Sequence, residues 1–146
     1  MSAPALARRW WASTGASAWG TILGRERARL QVSGVRAISD ASLSYSDAGG
    51  WSNRTDTGLT DLIAATWRQR AYGDSWSHIL VAEGAVDIPA EPELGAWDIG
   101  AIVPIVTEAG GRITALDGRP VLEGGCAVTT NSLLHDEVIQ LLMSGR

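Results

Sequence analysis

The chain has 146 residues, 45% of them apolar and 19% charged, enough for one compact domain with its own core and too apolar for a disordered polypeptide. Sixteen acidic against twelve basic residues give a net charge of −4, with the basic residues scattered except for Arg8-Arg9 and Arg25 to Arg29, so no nucleic-acid partner is expected. The apolar runs Ile79 to Val86 and Ile99 to Val106 are interrupted by Glu83 and Gly100 and fall short of the roughly 20 residues of a membrane span. No apolar segment follows the arginines near the N-terminus, as a secretory signal would require, and the lone Cys126 can form no internal disulfide. A cytoplasmic protein without a membrane partner is expected.

In chain order, "ALARRWWA", "SAWGTI" and "RARLQV" read as short strands within residues 5–32, parted by Gly and Ser turn signals. "ASLSYSD", 41–47, alternates small or polar residues with Leu43 and Tyr45 and is predicted as a strand, followed by a loop through "AGGWSNRTDTG". Leu59, Leu62, Ile63 and Trp67 recur near helical spacing and predict a helix over 59–70, with Asp56 and Thr57 available as its N-cap. Beyond it, "SWSHILVAEGA" reads as helix, "VDIPAE" as strand, "WDIGAIVPIVTEAGG" as helix with a glycine stop, "RITALDG" and "CAVTTN" as strands, and "SLLHDEVIQLLMS" as a final amphipathic helix. Helix and strand alternate from about residue 41, which predicts an α/β layer arrangement around a largely buried sheet.

Asp98 stands between a Trp and the apolar run of the 97–111 helix. An acid at a helix start has an ordinary use as a cap, because the first backbone N–H groups lack intrahelical partners and carry partial positive charge. Glu91 and Glu93 lie close before it, and the "RAYGDS" turn supplies Arg70, Gly73 and Asp74 before another helix. Acids gathered at helix starts with an arginine nearby are also the materials of a hard-cation site facing a phosphate. Residue chemistry alone leaves both readings open.

"WDIGAIVPIVTEAGG" followed by "RITALDGRP" resembles the C-terminal signature of the inositol monophosphatase superfamily, and "GDSWSHILVAEGAVDIPAEP", 73–92, resembles the segment preceding it. The run from "APALARRWW" to "NSLLHDEV" is similar to the histidinol-phosphatase branch, with Gly73-Asp74 where the inositol branch usually carries Gly-Thr. The resemblance implies the C-terminal half of an α/β/α/β/α layered sandwich of the sugar-phosphatase type. Residues 1–36 would be residual antiparallel strands of a first sheet, and 37–146 a C-terminal α/β domain. It implies Asp98 as an Mg²⁺ ligand beside the substrate hydroxyls, Glu91 as a substrate-contacting acid suited to a hydroxyl or ammonium group, and Arg70, Gly73 and Asp74 as a turn lining the substrate pocket. The expected substrate is a small phosphorylated metabolite, histidinol phosphate of histidine biosynthesis or an inositol phosphate. Glu108 and Gly110-Gly111 read as a last-turn residue and a C-cap.

The same resemblance places a metal-holding Glu, followed by an Asp-Pro-x-Asp-Gly-Thr segment, in an N-terminal half, and neither motif is found in these 146 residues. "SDASLS", "RTDTGLTD" and "ALDGRP" lack the Asp-x-x-Asp spacing with its proline. One carboxylate cannot cage Mg²⁺ ions that demand near-octahedral oxygen ligation, so a truncated chain that is inactive alone and binds Mg²⁺ feebly is expected. Unpaired strands should then expose the apolar sides of Trp10, Trp11 and Trp19 and drive homo-oligomerisation or assembly with a complementary chain. A non-catalytic remnant or binding module that keeps the scaffold is the alternative. His78 and His135 read as packed helical histidines and Cys126 as a buried small residue. The seven tryptophans are spread over separate elements as core filling, and Ser44, Ser46 and Ser52 lack a nucleophile-elbow context.

Overall fold

The structure is a computed structural model that describes residues 1–22, 25–46, 48–54 and 57–145. The first sheet is antiparallel, in the order β1 (Ser2–Ala3), β2 (Arg8–Ala12), β3 (Ala18–Ile22), β4 (Arg25–Arg29). Trp10 pairs with Gly20 and Trp11 with Trp19, so period-2 alternation turns Trp10, Ala18 and Leu30 to one face and Trp11 and Trp19 to the other. Gly20 permits a close approach here, since a Cβ would lie 3.0 Å from the Trp10 ring and 3.3 Å from Leu30.

The second sheet is mixed, in the order β6 (Arg68–Arg70), β5 (Ser42–Tyr45), β7 (Ile88–Glu91), β9 (Ala127–Thr130), β8 (Arg112–Thr114). β5 runs parallel to both β6 and β7, and β9 runs antiparallel to β7 and β8. Helices α3 (Asp74–Ala82) and α4 (Ala96–Glu108) lie between the two sheets. Ile79, Ala82, Ile102, Ile105 and Val106 pack with Trp10, Ala18 and Leu30 in one core. On the far face of the second sheet, Leu62 of α2 (Leu59–Ala65) and Val138 and Leu142 of α6 (His135–Met143) cover Leu43, Ile88, Ala90 and Val128. The result is four layers, sheet, helices, sheet, helices. No helix among the described residues is long and apolar enough to cross a membrane.

Several elements depart from the sequence expectations. The helix expected over 59–70 stops at Ala65. The Thr66 hydroxyl donates to the Leu62 and Ile63 carbonyls, and the Gln69 amide reaches back to the carbonyls of Ile63 and Thr66. Freed from the helix, Arg68–Arg70 extends beside β5. Its N-cap is Gly58; Thr57 donates its hydroxyl to the Arg54 carbonyl, and Asp56 lies outside the described residues. The expected loop after β5 contains a helical turn, α1 (Ala48–Ser52), and another, α5 (Val121–Gly124), precedes β9.

Trp10 is also not exposed as expected. It is fully buried against α3 and α4, where its Nε1–H donates to Glu83 at 2.6 Å. The physical reason is that α3 and α4 return over the first sheet and cover its inner face, leaving Trp11 and the half-buried Trp19 on the outer one. Glu108, in the last turn of α4, accepts from the backbone N–H groups of Gly15 and Ser17 and so ties the β2–β3 turn to that helix.

Candidate active site

The three parallel strands β6, β5 and β7 end at one edge of the second sheet, and the chain leaves each of them into a loop. Open α/β sheets bind ligands outside the carboxyl ends of such strands. Here that edge carries a concavity of about 400 Å³ lined by Ser46 after β5, Tyr72, Gly73 and Asp74 after β6, and Glu91 with Glu93 at and after β7. Helix α3 begins at this pocket, so its unpartnered N–H groups lie at the rim.

The pocket residues are held by local geometry. Gly73 has φ +67 and Asp74 φ +56, a left-handed pair that makes the abrupt change from strand to helix; glycine pays nothing for this, and Asp tolerates it better than most side chains. Beneath the turn, the Ser77 hydroxyl donates to the Gly73 carbonyl at 3.3 Å and pairs with the buried Ser44 hydroxyl of β5 at 2.8 Å. Glu91, the last residue of β7, is 3% exposed and pairs in register with Ala127. Alternation along β7 puts Ile88 and Ala90 in the α2–α6 core and Glu91 on the opposite side, toward the α3–α4 layer.

Asp98 sits in the first turn of α4, three residues beyond the N-cap Gly95. Its Oδ2 accepts the Gly95 N–H at 3.0 Å, while its own N–H donates to the Gly95 carbonyl at 3.0 Å, a reciprocal arrangement that closes the helix start. Trp97 beside it is 86% exposed. Asp98 is not among the residues lining the pocket, and Arg70 is not either. Arg70 ends β6, donates its Nη1 to the Gln69 carbonyl at 2.7 Å, and lines a smaller neighbouring cavity that shares Tyr72. The structure therefore brings Gly73, Asp74 and Glu91 together in this pocket, and Arg70 and Asp98 are outside its lining. Sequence reasoning did not single out Tyr72 or Ser46 as pocket residues, although both directly follow or flank strand ends.

Neither histidine enters this pocket lining. His78 is buried, its Nδ1 lies 2.7 Å from the Thr129 hydroxyl, and burial pushes its pKa down to about 4. His135 lies between the Thr114 and Thr130 hydroxyls and is lowered to about 4 by burial, with the Arg112 charge adding to the effect. Both are neutral structural groups at neutral pH.

Residues 1–145 match the model of the inositol monophosphatase family. The chain belongs to that family. Over 149 aligned residues it is 51% identical to a histidinol-phosphatase of Mycobacterium tuberculosis, covering 99% of this chain and 56% of that protein. A Streptomyces coelicolor histidinol-phosphatase is 50% identical over 147 residues, covering 97% and 54%. Among solved structures, the inositol monophosphatase from Anabaena superposes with a TM-score of 0.82 at 26% identity over 96% of this chain and 56% of its own. The chain thus spans about half the length of these relatives, and its layered architecture is that of the inositol monophosphatase fold.

Proposed function

We propose that the chain forms the C-terminal part of a Mg²⁺-dependent phosphomonoesterase acting on a small phosphate ester, histidinol phosphate before an inositol phosphate. The observation that carries this reading is the pocket at the ends of β5, β6 and β7, in which Asp74, Glu91 and Glu93 converge beside the start of α3. Three carboxylates in one pocket repel a bare phosphate and favour a cationic group, such as the ammonium of histidinol phosphate, at that end of the substrate. Roughly half-identity to two histidinol-phosphatases over almost the whole chain supports the same substrate.

Asp98 and the metal fit this reading only in part. Its Oδ2 is engaged by Gly95, and among the described residues no group of three or more His, Cys, Asp or Glu side chains could hold a metal ion. Magnesium demands near-octahedral oxygen ligation, so Asp98 supplies at most one ligand and no catalytic step is assigned to these residues through a metal. In this reading the remaining ligands come from the Glu and Asp-Pro-x-Asp-Gly-Thr that the resemblance implies. The second reading is a non-catalytic scaffold of the same fold.

Phosphate release from histidinol phosphate and inositol phosphate, with Mg²⁺ or EDTA, tests both. The folded chain alone is expected to give no turnover. Adding the portion of the M. tuberculosis histidinol-phosphatase outside the aligned stretch is expected to restore Mg²⁺-dependent release, with Asp98→Asn lowering kcat of the reconstituted enzyme. Turnover by the chain alone overturns the incomplete metal site. Failure of a folded, assembled mixture supports the scaffold reading.

A further inference from the structure

A second cavity lies on the side of the second sheet that faces away from the first. Tyr45, the last residue of β5, turns toward α2, opposite Ser44, whose hydroxyl pairs with that of Ser77 in α3. Between β5, α1 and α2 a concavity of about 370 Å³ opens, its lining including Tyr45, Trp51, Arg54, Leu59, Thr60 and Ile63. It shares no described lining residue with the carboxylate pocket. Its described walls all belong to the second sheet and the helices on its far side, so it owes nothing to the uncovered face of the first sheet.

Local bonds hold these walls in place. The Ser52 hydroxyl donates to the Gly49 carbonyl at 2.7 Å and the Thr57 hydroxyl to the Arg54 carbonyl at 3.1 Å. Behind α1 stands the loop after β7, so close that a Cβ on Gly50 would lie 3.1 Å from the Pro92 ring. Two polar groups of the lining lack the partners that burial and charge call for. Trp51 is 7% exposed and its buried Nε1–H has no hydrogen-bond partner, a costly state for a donor shut away from water. Arg54 has no carboxylate partner among the described residues, unlike Arg8, Arg112 and Arg119, and no described residue of the lining is acidic.

We propose that this cavity binds a small aromatic monocarboxylate, its carboxylate accepting from Arg54 and the Trp51 indole N–H and its ring lying against Tyr45, Leu59 and Ile63. The single unpaired guanidinium calls for one negative charge, and its planar fork matches a carboxylate. The indole N–H calls for an acceptor. Two aromatic rings and two branched aliphatic side chains call for a flat apolar body. Volume sets the size, because about 370 Å³ stands at the lower end of the roughly 300–1,000 Å³ typical of small-molecule pockets and admits one or two fused rings but no peptide helix. The inference does not depend on catalysis, so it stands or falls separately from the phosphatase reading.

The test is titration of the full ¹⁵N-labelled chain with naphthoate, followed by the indole N–H signals of its tryptophans in nuclear magnetic resonance spectra. The signal missing from Trp51→Phe identifies Trp51. That signal is expected to move with naphthoate and to saturate by about 5 mM. Neutral naphthamide and cationic naphthylmethylamine, which keep the rings and change only the charge, are expected to bind at least about tenfold more weakly. Arg54→Gln is expected to weaken naphthoate about tenfold, and Trp51→Phe, which keeps a ring and removes the donor, about threefold or more. If Trp51→Phe does not fold as judged by circular dichroism, the naphthoate titration of Arg54→Gln followed by tryptophan fluorescence gives the second measurement. Absence of saturable binding overturns the proposal. So does movement of other indole signals while that of Trp51 stays fixed, equal binding of the three probes, or naphthoate binding that Arg54→Gln leaves unchanged.

Discussion

Glu83, one residue past the end of α3, joins that helix to the first sheet, and removing its carboxylate should loosen the two layers. Arg8 Nη2 lies 2.9 Å from both Glu83 oxygens, Trp10 Nε1–H donates to Oε1 at 2.6 Å, and the Arg8 and Glu83 side chains are 20% and 7% exposed. The guanidinium also stands 5.4 and 5.5 Å from the ring centroids of Trp10 and Trp76, which meet edge to face. Glu83→Ala leaves the fully buried Trp10 N–H without an acceptor, which costs about 1–3 kcal/mol. It also strips the partner from a mostly buried cation, for which about 3–5 kcal/mol is typical of the whole loss. The two penalties overlap in one network, so the expected total is about 3–5 kcal/mol. At about 2–4 °C per kcal/mol for a chain of this size, the melting temperature should fall by about 10 °C. Glu83→Gln keeps an acceptor for Trp10 and should cost about 1–2 kcal/mol. Urea unfolding followed by tryptophan fluorescence and by circular dichroism measures both variants. A loss below about 1 kcal/mol for Glu83→Ala would refute the claim that this buried pair couples the layers.

The remaining predictions concern titration and close packing. Burial lowers the pKa of His78 and of His135 from 6.5 to about 4, so the unfolded chain takes up protons that the folded chain does not. Stability is therefore full above pH 6.5 and is lost as pH falls toward 4, by up to about 1.4 kcal/mol per pH unit for each histidine. Urea midpoints between pH 7.5 and 5 should show this slope, and His78→Gln should remove about half of it; an unchanged slope would sink the assignment. A Cβ at Gly58 would lie 1.8 Å from the Leu141 carbonyl oxygen, where α2 meets α6, so Gly58→Ala should cost several kcal/mol or prevent folding, as overpacking does. At Gly95 the three atoms nearest the new Cβ all belong to the exposed Trp97 ring, which can swing aside, so Gly95→Ala should change thermal stability by under about 1 kcal/mol. Equal effects at the two glycines would contradict the packing argument.

Periodicity carried far along the chain. The alternation of "RRWWA" and "SAWGT" marks β2 and β3, and the apolar spacing of 97–108 marks α4, because these segments bury one face and their residue types repeat at the period of their own backbone. Residues 68–70 were not legible, because Trp67 continues the helical spacing while the event that ends the helix is a set of side-chain bonds from Thr66 and Gln69 to its last carbonyls. For the site, the "WDIG" and "YGDS" stretches were visible as motifs, yet spacing along the chain could not show that Asp74, Glu91 and Glu93 share one pocket while Arg70 and Asp98 do not line it.

The amino-acid sequence by itself determined the α/β class, most of the element types and the family resemblance, since each rests on local periodicity or on a contiguous motif. Only the tertiary structure decided which face of each strand is covered. That choice buries Trp10 under α3 and α4, leaves Trp11 and Trp19 outside among arginines, and gathers three carboxylates from two chain segments at the strand ends. The reason is physical. Alternation assigns residues to two faces, but which face meets the core depends on where helices tens of residues away return to pack, and the sequence pattern of the strand contains no record of that return.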